Sequence, residues 1–422
     1  MLPVRSRVLG FAFLLAVVTY LDRVCISAAA PSIMEELHLS VLQMSVVFSA
    51  FTLSYSLFEV PSGWLGDVKG PRRVLTRIVL WWSAFTSLTG AVSNYYLLLI
   101  TRFCFGAGEA GAFPNASIVV SRWFPASQRA SMCGVLLMAS QIGGAIAPLL
   151  VVPIQIRYGW RSAFFVFGAT GVIWAAVWYA WFRDSPAEKP GVSPAELETI
   201  KMIAPAHGHG FPWRIAFRSE TVVAIAATAF CYVYVYTFFQ TWFHTFLIKG
   251  RGFTEGSLLL SALPYAVAAC ANLAGGATSD ALVRRLGPKW GRRSIGLAGL
   301  GCACLFTVAA MFTTHQLLTV VLLSLVYGAI TFQQAGVFGV CLDIGGRHAG
   351  SMVGLMNTSA QVGGFVSSVA YGYIVERFQS YDAPFIPMAV VLFVGALFWL
   401  KIDASKELSP EPFAVPVPAT AL

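Results

Sequence analysis

The sequence is dominated by long apolar stretches, and their number and length limit what the chain can fold into. A helix needs about 20 apolar residues to cross the hydrocarbon core of a bilayer. Twelve stretches meet this length, at roughly 8–30, 43–65, 74–93, 96–120, 131–156, 160–182, 221–247, 256–279, 293–312, 316–340, 349–374 and 383–402. The chain is therefore predicted to be an all-α integral membrane protein with 12 transmembrane helices.

The composition excludes several classes of protein. Only 11% of the 422 residues are charged and 57% are hydrophobic, whereas soluble domains average about 25% charged residues. So few charges cannot cover the surface of soluble domains, which excludes a soluble enzyme, a disordered chain and a nucleic-acid-binding protein despite the net charge of +9. The eight cysteines have no metal-site spacing, and the chain has no nucleotide-binding fingerprint. We therefore predict no metal and no cofactor.

The positions of the basic residues predict the orientation in the membrane. Lys and Arg are enriched in cytoplasmic loops. If both termini are cytoplasmic, the outer loops hold only Arg157, Arg161, Lys249, Arg251 and Arg377, and most other basic residues are cytoplasmic. We therefore expect a multi-pass protein of the cell membrane with both termini inside. The positive charge is then explained by contact with anionic lipid headgroups.

The chain contains an internal duplication. Residues 131–144 (SMCGVLLMASQIGG) match residues 351–364 (SMVGLMNTSAQVGG) at an offset of 220, and a GxxxD pattern recurs at residues 63 and 276, at an offset of 213. One seven-residue insertion reconciles the two offsets, although chance similarity between helices rich in small residues is the alternative. We expect two pseudo-symmetric six-helix halves, at 1–182 and 221–402. A linker with a short surface helix (183–220) joins them, and a cytoplasmic tail (403–422) follows.

Three motifs resemble those of a known transporter family. Residues 63–73 (GWLGDVKGPRR) resemble the signature loop of the major facilitator superfamily. Residues 20–23 (YLDR) and 102–114 (RFCFGAGEAGAFP) are similar to the first-span and fourth-span motifs of its anion:cation symporter family, which includes galactonate and hexuronate permeases and sialin-type transporters. The resemblance covers nearly the whole chain and implies the major facilitator fold, with a substrate site between the two halves.

Five ionisable residues are clear cases of a charge inside a predicted span, away from its ends, and all lie in the first half: Asp22, Arg23, Glu59, Arg102 and Glu109. Such residues are costly in a bilayer and usually have a partner or a function. Because its planar fork matches a carboxylate, Arg23 is expected to bind an anion, the role that the resemblance also implies; the alternative is a structural ion pair with Asp22 or Glu109.

Arg102 and Glu109 lie two turns apart on one helical face. They are either a buried pair that orients helices or a positive group beside a carboxylate that exchanges a proton. The resemblance implies proton coupling by Glu109 and Asp22.

Neutral polar residues complete the predicted substrate site. Amides of the second half are candidates to bind substrate, although hydrogen bonding between helices is an equal alternative. His244 stands where relatives often carry Pro, and we expect it to be interfacial and exposed to water. The predicted substrate-binding residues are Tyr20, Arg23, Tyr55, Arg102, Gln141, Gln240, Asn357 and Gln361.

A further set of charges is predicted to form a gating network near the cytoplasmic loops. Its members are Glu59, Asp67, Arg72, Asp280 and Arg292. We expect ion pairs between helices that hold one conformation closed; the alternative is that the loop charges are solvated and only set the topology. Val68 and Pro71 replace basic residues common in the signature loop, which predicts a weaker network in the first half.

These features together predict a secondary active transporter and not an enzyme. The expected substrate is a small organic anion, a sugar acid such as an aldonate or hexuronate, moved with protons by alternating access. Exchange or efflux by the same fold is the alternative, and a membrane sensor that does not transport is a more remote one. The expected partners are the anion, protons and the lipid bilayer, and the protein is expected to be a monomer.

Overall fold

The computed structural model describes residues 3–124, 126–200, 213–345 and 349–406. These residues are predominantly helical and contain no β-strand. The predicted tail, apart from its first four residues, lies outside them. The helices are α1 (Val4–Glu36), α2 (Val41–Lys69), α3 (Pro71–Ala91), α4 (Tyr95–Glu109), α5 (Ala112–Trp123), α6 (Ala126–Tyr158), α7 (Trp160–Trp181), α8 (Pro194–Ile200), α9 (Trp213–Arg218), α10 (Glu220–Thr241), α11 (Phe243–Thr245), α12 (Leu263–Met311), α13 (Gln316–Gly345), α14 (Ala349–Phe378) and α15 (Phe385–Trp399).

The long helices account for all twelve predicted membrane passes within the described residues. Helices α4 and α5 form one pass, broken at Ala110 and Gly111. Helices α10 and α11 form another, which continues into a π-helical turn at Phe246–Gly250. Helix α12 makes two passes, because Gly287 has a φ of 77° and interrupts it. On length and apolar composition alone, seven helical stretches of the described residues qualify as spans; α3, α4–α5, α14 and the 15-residue α15 fall short of that criterion.

Equivalent tight turns connect helices in the two halves. Gly70, with a φ of 81°, separates α2 from α3, and Pro71 is the first residue of α3. Gly287 is likewise followed by Pro288 at the break in α12. Glycine adopts a positive φ without strain, and proline suits the first turn of a helix. Each half therefore reverses direction within very few residues.

The duplication seen in the sequence is also present in the packing. A Cβ atom added at Gly143 of α6 would collide with the carbonyl oxygen of Val17 on α1. A Cβ added at Gly363 of α14 would collide in the same way with the carbonyl oxygen of Phe230 on α10. The glycines are 220 residues apart and their partners 213, the two offsets of the sequence repeat. Chance similarity does not produce this agreement, so the two halves are structural repeats.

The two halves meet mainly through α1, α2 and α6 of the first and through α11, α12, α14 and the 3₁₀ segment Glu255–Ala262 of the second, with a smaller contribution from α10. We call the end of the bundle where α1 begins and α15 ends the basic end, because most loop Lys and Arg lie there. Toward the opposite end, the Leu42 amide donates to Glu376 Oε1 at 2.7 Å, and the Phe48 ring packs edge-on against Trp242, 5.2 Å between centroids. The two halves are thus in contact toward the opposite end.

The glycine contacts predict a matched pattern of stability. Gly143→Ala and Gly363→Ala should each lower stability by about 1–3 kcal/mol, the usual cost of overpacking, because the new methyl group meets backbone. Gly134→Ala on α6 and Gly354→Ala on α14 are controls, since a Cβ there has no neighbour within 4 Å. Thermal unfolding of the detergent-solubilised protein, followed by Trp fluorescence, measures the difference. Equal melting temperatures for all four variants would contradict the packing described.

Candidate functional site

A cavity of about 100 Å³ lies between the two halves. It lies next to the Phe48–Trp242 contact, on the side of that contact that faces the basic end. Residues of α1, α2 and α4 line one side, and residues of α10 and α14 line the other. The first half contributes charge and the second contributes hydroxyl and amide groups. The polar lining residues are Tyr20, Arg23, Thr52 and Arg102, and across from them Tyr236, Thr237, Gln240, Thr241 and Gln361.

An ion pair joins α1 to α4 beside this cavity. Arg23 Nε donates to Glu109 Oε1 at 2.5 Å, and the Glu109 side chain is 1% exposed. The Arg23 guanidinium also lies 4.6 Å from the ring centroid of Tyr55, a cation–π contact. Arg23 Nη2 and Glu109 Oε2 are buried without a hydrogen-bond partner among the described residues. The Arg23–Glu109 pair offered as the structural alternative is therefore present, and it leaves hydrogen-bonding capacity unused.

Arg102 is a second guanidinium lining the same cavity. It is 2% exposed and packs 4.1 Å from the ring centroid of Phe105. Its Nε and Nη1 atoms have no hydrogen-bond partner among the described residues. The Arg102–Glu109 ion pair considered from their spacing is not formed there, because Glu109 bonds to Arg23 on the other helix. Arg102 is thus a buried positive charge with free donors.

Asp22 completes a cluster of four charged groups. It is 1% exposed and lies near the Trp82 indole, and neither carboxylate oxygen makes a hydrogen bond of normal geometry among the described residues. It lies within electrostatic range of Glu109 and Arg102. With all groups ionised, the two carboxylates balance Arg23 and Arg102, which lowers the cost of burying each one. One added proton would leave the cluster with a net positive charge.

The second half presents neutral donors and acceptors. Gln240 Nε2 donates to the Tyr327 hydroxyl at 2.9 Å, and the hydroxyl groups of Tyr236 and Tyr20 approach to 3.5 Å across the interface. Tyr236, Thr237 and Tyr327 were not among the predicted residues. Tyr236 lies one turn before Gln240, so the helical spacing around that glutamine would have identified it.

Three predicted residues lie outside the cavity lining. Tyr55 is buried against Arg23 and supports it. Gln141 on α6 is buried, and its Oε1 has no hydrogen-bond partner among the described residues. Asn357 is half-buried, one turn before Gln361 on α14.

The expectation that His244 is exposed to water is wrong. Its side chain is 2% exposed, and its Nε2 lies 3.1 Å from Ser261 Oγ. The reason is that the pass extends beyond His244 through the π-helical turn, and the 3₁₀ segment Glu255–Ala262, which carries Ser261, packs against this region. Sequence spacing alone did not reveal that covering segment.

In the second half, Arg292 connects three helical segments at the basic end. Its Nε bonds Asp343 Oδ2 on α13 at 3.0 Å. Its Nη1 donates to Ser279 Oγ at 2.7 Å and to Asp280 Oδ1 at 3.3 Å. The prediction included Asp280 but missed Asp343, which is the closer carboxylate. This network joins both arms of α12 to α13 within one half.

In the first half, Arg72 contacts the end of α7. Its Nε and Nη2 donate to the Tyr179 carbonyl at 2.9 and 2.6 Å, and its amide donates to Asp184 Oδ1 at 2.8 Å. The side chain of Asp67 lies outside the described residues. Glu59 is half-buried on α2, within electrostatic range of Arg23.

Comparison with known proteins identifies the family. The model of the Major Facilitator Superfamily matches residues 12–368, and again 285–420. The chain belongs to the major facilitator superfamily. It is 36% identical to the probable sulfoacetate transporter SauU of Cupriavidus necator over 94% of both chains. It is 30% identical to the hexuronate transporter of Bacillus subtilis over 90% of both chains, and 27% identical to the probable L-galactonate transporter of Escherichia coli.

A solved transporter structure shares the fold. The crystal structure of a bacterial homologue of the human lysosomal transporter Spinster, inward-facing and unoccupied, matches with a TM-score of 0.77 at 20% identity, over 96% of this chain and 98% of that one. The prediction of two pseudo-symmetric six-helix halves is confirmed. The cavity beside Arg23 lies between these halves, the kind of position at which transporters built from two repeats bind substrate.

The geometry of Arg292 predicts unequal effects of its two carboxylate partners. Asp343→Asn should lower stability by about 1–2 kcal/mol, because a partly buried charged hydrogen bond is lost. Asp280→Asn should cost less than about 0.5 kcal/mol, since that side chain is 66% exposed. Thermal unfolding in detergent compares the two variants. A larger effect of Asp280→Asn would show that the network is wrongly assigned.

Proposed function

We propose that this major facilitator imports a small organic anion together with protons. The observation that carries the proposal is the pair of guanidinium groups, Arg23 and Arg102, which line one small cavity and keep nitrogen atoms without a hydrogen-bond partner among the described residues. Planar guanidinium groups bind carboxylates and sulfonates through paired hydrogen bonds. The names of the relatives, transporters of sulfoacetate, hexuronate and L-galactonate, support an anion of this kind.

The Arg23–Glu109 pair suggests how the anion and the proton are coupled. While Glu109 is ionised, it occupies Arg23 Nε and competes with a substrate carboxylate for it. A proton on Glu109 removes that competition and leaves the cluster with net positive charge, which favours anion binding. Loss of the proton lets Glu109 bind Arg23 again and displaces the anion. Asp22, within electrostatic range of both Glu109 and Arg102, is a second proton acceptor in this proposal.

The conformation supports release toward the basic end. The described contacts between the halves lie at the level of the cavity or toward the opposite end, as in the Leu42–Glu376 and Phe48–Trp242 pairs. With the basic end cytoplasmic, this is a state open to the cytoplasm. In that state Glu109 is bound to Arg23, as expected after the anion and the proton have left.

The neutral half of the cavity favours a substrate that also carries hydroxyl groups. Tyr236, Gln240 and Gln361 supply hydrogen-bonding groups facing the two guanidinium groups, which suits a sugar acid such as an aldonate or hexuronate. We propose residence in the cell membrane as a monomer with both termini in the cytoplasm, and a division of the chain at 182, 220 and 402. Catalysis has no part in this proposal.

Replacing Glu109 tests the coupling. Glu109→Gln should abolish accumulation driven by a proton gradient while keeping counterflow of labelled anion, because an amide cannot exchange a proton but leaves the cavity intact. Glu59→Gln is the matched control, because this substitution also removes one carboxylate, on α2, but that carboxylate forms no ion pair with Arg23 among the described residues. This variant should retain accumulation. Uptake into membrane vesicles with and without a protonophore measures both. Proton-driven accumulation by Glu109→Gln would refute the proposed coupling.

Replacing Arg23 tests anion binding. Arg23→Gln should weaken binding of the transported acid more than about 30-fold, the usual loss when one partner of a buried charge pair is removed. Arg23→Lys should recover only part of it, because an ammonium group lacks the planar fork. Binding of sulfoacetate, glucuronate and galactonate to the purified protein, with glucose as the neutral comparison, measures the change. Unchanged affinity of Arg23→Gln for every acid would contradict the assignment.

A further inference from the structure

A second cavity of about 650 Å³ opens at the basic end of the second half. The start of α10, the second arm of α12 and the end of α15 surround it. Its walls carry more positive than negative charge. The basic residues are Arg218, Lys289, Arg293, Lys401 and Lys406, and the acidic ones are Glu220 and Asp403.

The acidic residues of this basic pocket are already paired. Asp403 Oδ2 lies 3.2 Å from Lys289 Nζ, and Glu220 Oε1 lies 3.2 Å from Lys401 Nζ. Arg218 and Lys406 are exposed and have no ion-pair partner among the described residues. Within the part of the chain that the structure describes, the pocket therefore has positive charge at its rim that no carboxylate pairs with.

The equivalent place in the first half holds a carboxylate. Arg5 at the start of α1 corresponds to Arg218 at the repeat offset of 213. The Arg5 amide donates to Oε1 of Glu196 at 2.9 Å, and Glu196 belongs to helix α8 of the linker. The linker thus brings an anionic group to this end of the first half. In the second half, the described residues leave a basic pocket at the corresponding position.

We propose that the basic pocket binds the phosphate of an anionic phospholipid headgroup. The pocket lies at the ends of transmembrane helices, where headgroups are concentrated. Leu400 lines it and is 47% exposed, and Trp290 beside Arg293 is also exposed, as is usual for aromatic residues at the membrane interface. A phosphate bound there takes the place that the Glu196 carboxylate has in the first half. This inference does not depend on the proposed substrate.

Native mass spectrometry of the full-length protein in detergent tests the proposal with phosphatidylglycerol and phosphatidylcholine as probes. The wild type should bind phosphatidylglycerol in preference to phosphatidylcholine. The double variant R218Q/K406Q should bind phosphatidylglycerol about 25-fold more weakly, the effect expected from two lost basic contacts near a membrane surface. Millimolar inorganic phosphate should not displace the lipid, because the acyl chains also contribute to binding.

The variant R284Q/R285Q is the matched control. It removes two exposed basic residues that lie just before the break in α12, at the basic end of the bundle, and neither residue lines the pocket. Its affinity for phosphatidylglycerol should stay within about threefold of wild type. Equal losses in the two double variants would indicate general surface charge and overturn the proposal. Displacement of the lipid by inorganic phosphate would indicate a site for soluble anions and would also overturn it. Unchanged binding of phosphatidylglycerol by R218Q/K406Q would show that the basic pocket is not the lipid-binding site.

Discussion

The buried Arg23–Glu109 ion pair is the interaction on which the proposed mechanism depends. Burying an isolated charge in a membrane protein costs free energy. Arg23 on α1 and Glu109 on α4 reduce that cost by forming an ion pair at 2.5 Å. Its neighbours are less well satisfied, since Asp22 and Arg102 keep buried atoms without hydrogen-bond partners among the described residues. Unsatisfied buried groups lower stability, so a chain selected only for stability has little reason to keep them. A ligand and a proton that bind and leave would explain both the free donors on Arg102 and the free oxygens on Asp22.

The two halves share their helix packing but differ in the side chains that line the cavity. Gly143 and Gly363 make the same close contact with backbone on α1 and α10, so the scaffolds are equivalent. The side chains facing the cavity are not. The first half presents Arg23 and Arg102, whereas the second presents Tyr236, Gln240 and other neutral groups. In the proposed mechanism, this division keeps the groups that respond to protons on one half and leaves the other half to select the rest of the substrate.

The sequence predicted features that are encoded locally. Apolar length identified the twelve passes, and charge inside an apolar segment identified Asp22, Arg23, Arg102 and Glu109, because such residues are rare in membrane helices. Partners were harder to predict. The sequence left Glu109 with either Arg23 or Arg102 as its partner, and the structure pairs it with Arg23, 86 positions away. Asp343 and the burial of His244 were missed. Each depends on how separate helices pack, and neither apolar length nor helical spacing contains that information.

The strength of the contacts differs within and between the halves. Within a half, charged groups fix helices to one another, as the Arg292 guanidinium does with Asp343 and the Arg72 guanidinium does with the Tyr179 carbonyl. Between the halves, the contacts are mostly apolar or small, as in the packing of Phe48 against Trp242 and of Ser45 against Gly372. Apolar surfaces can separate and meet again without leaving a charge unpaired, whereas breaking a buried ion pair is strongly unfavourable. The halves are therefore suited to move as rigid bodies. Tyr20, which stacks on Arg23 of the charge cluster, meets Tyr236 of the other half across the same cavity.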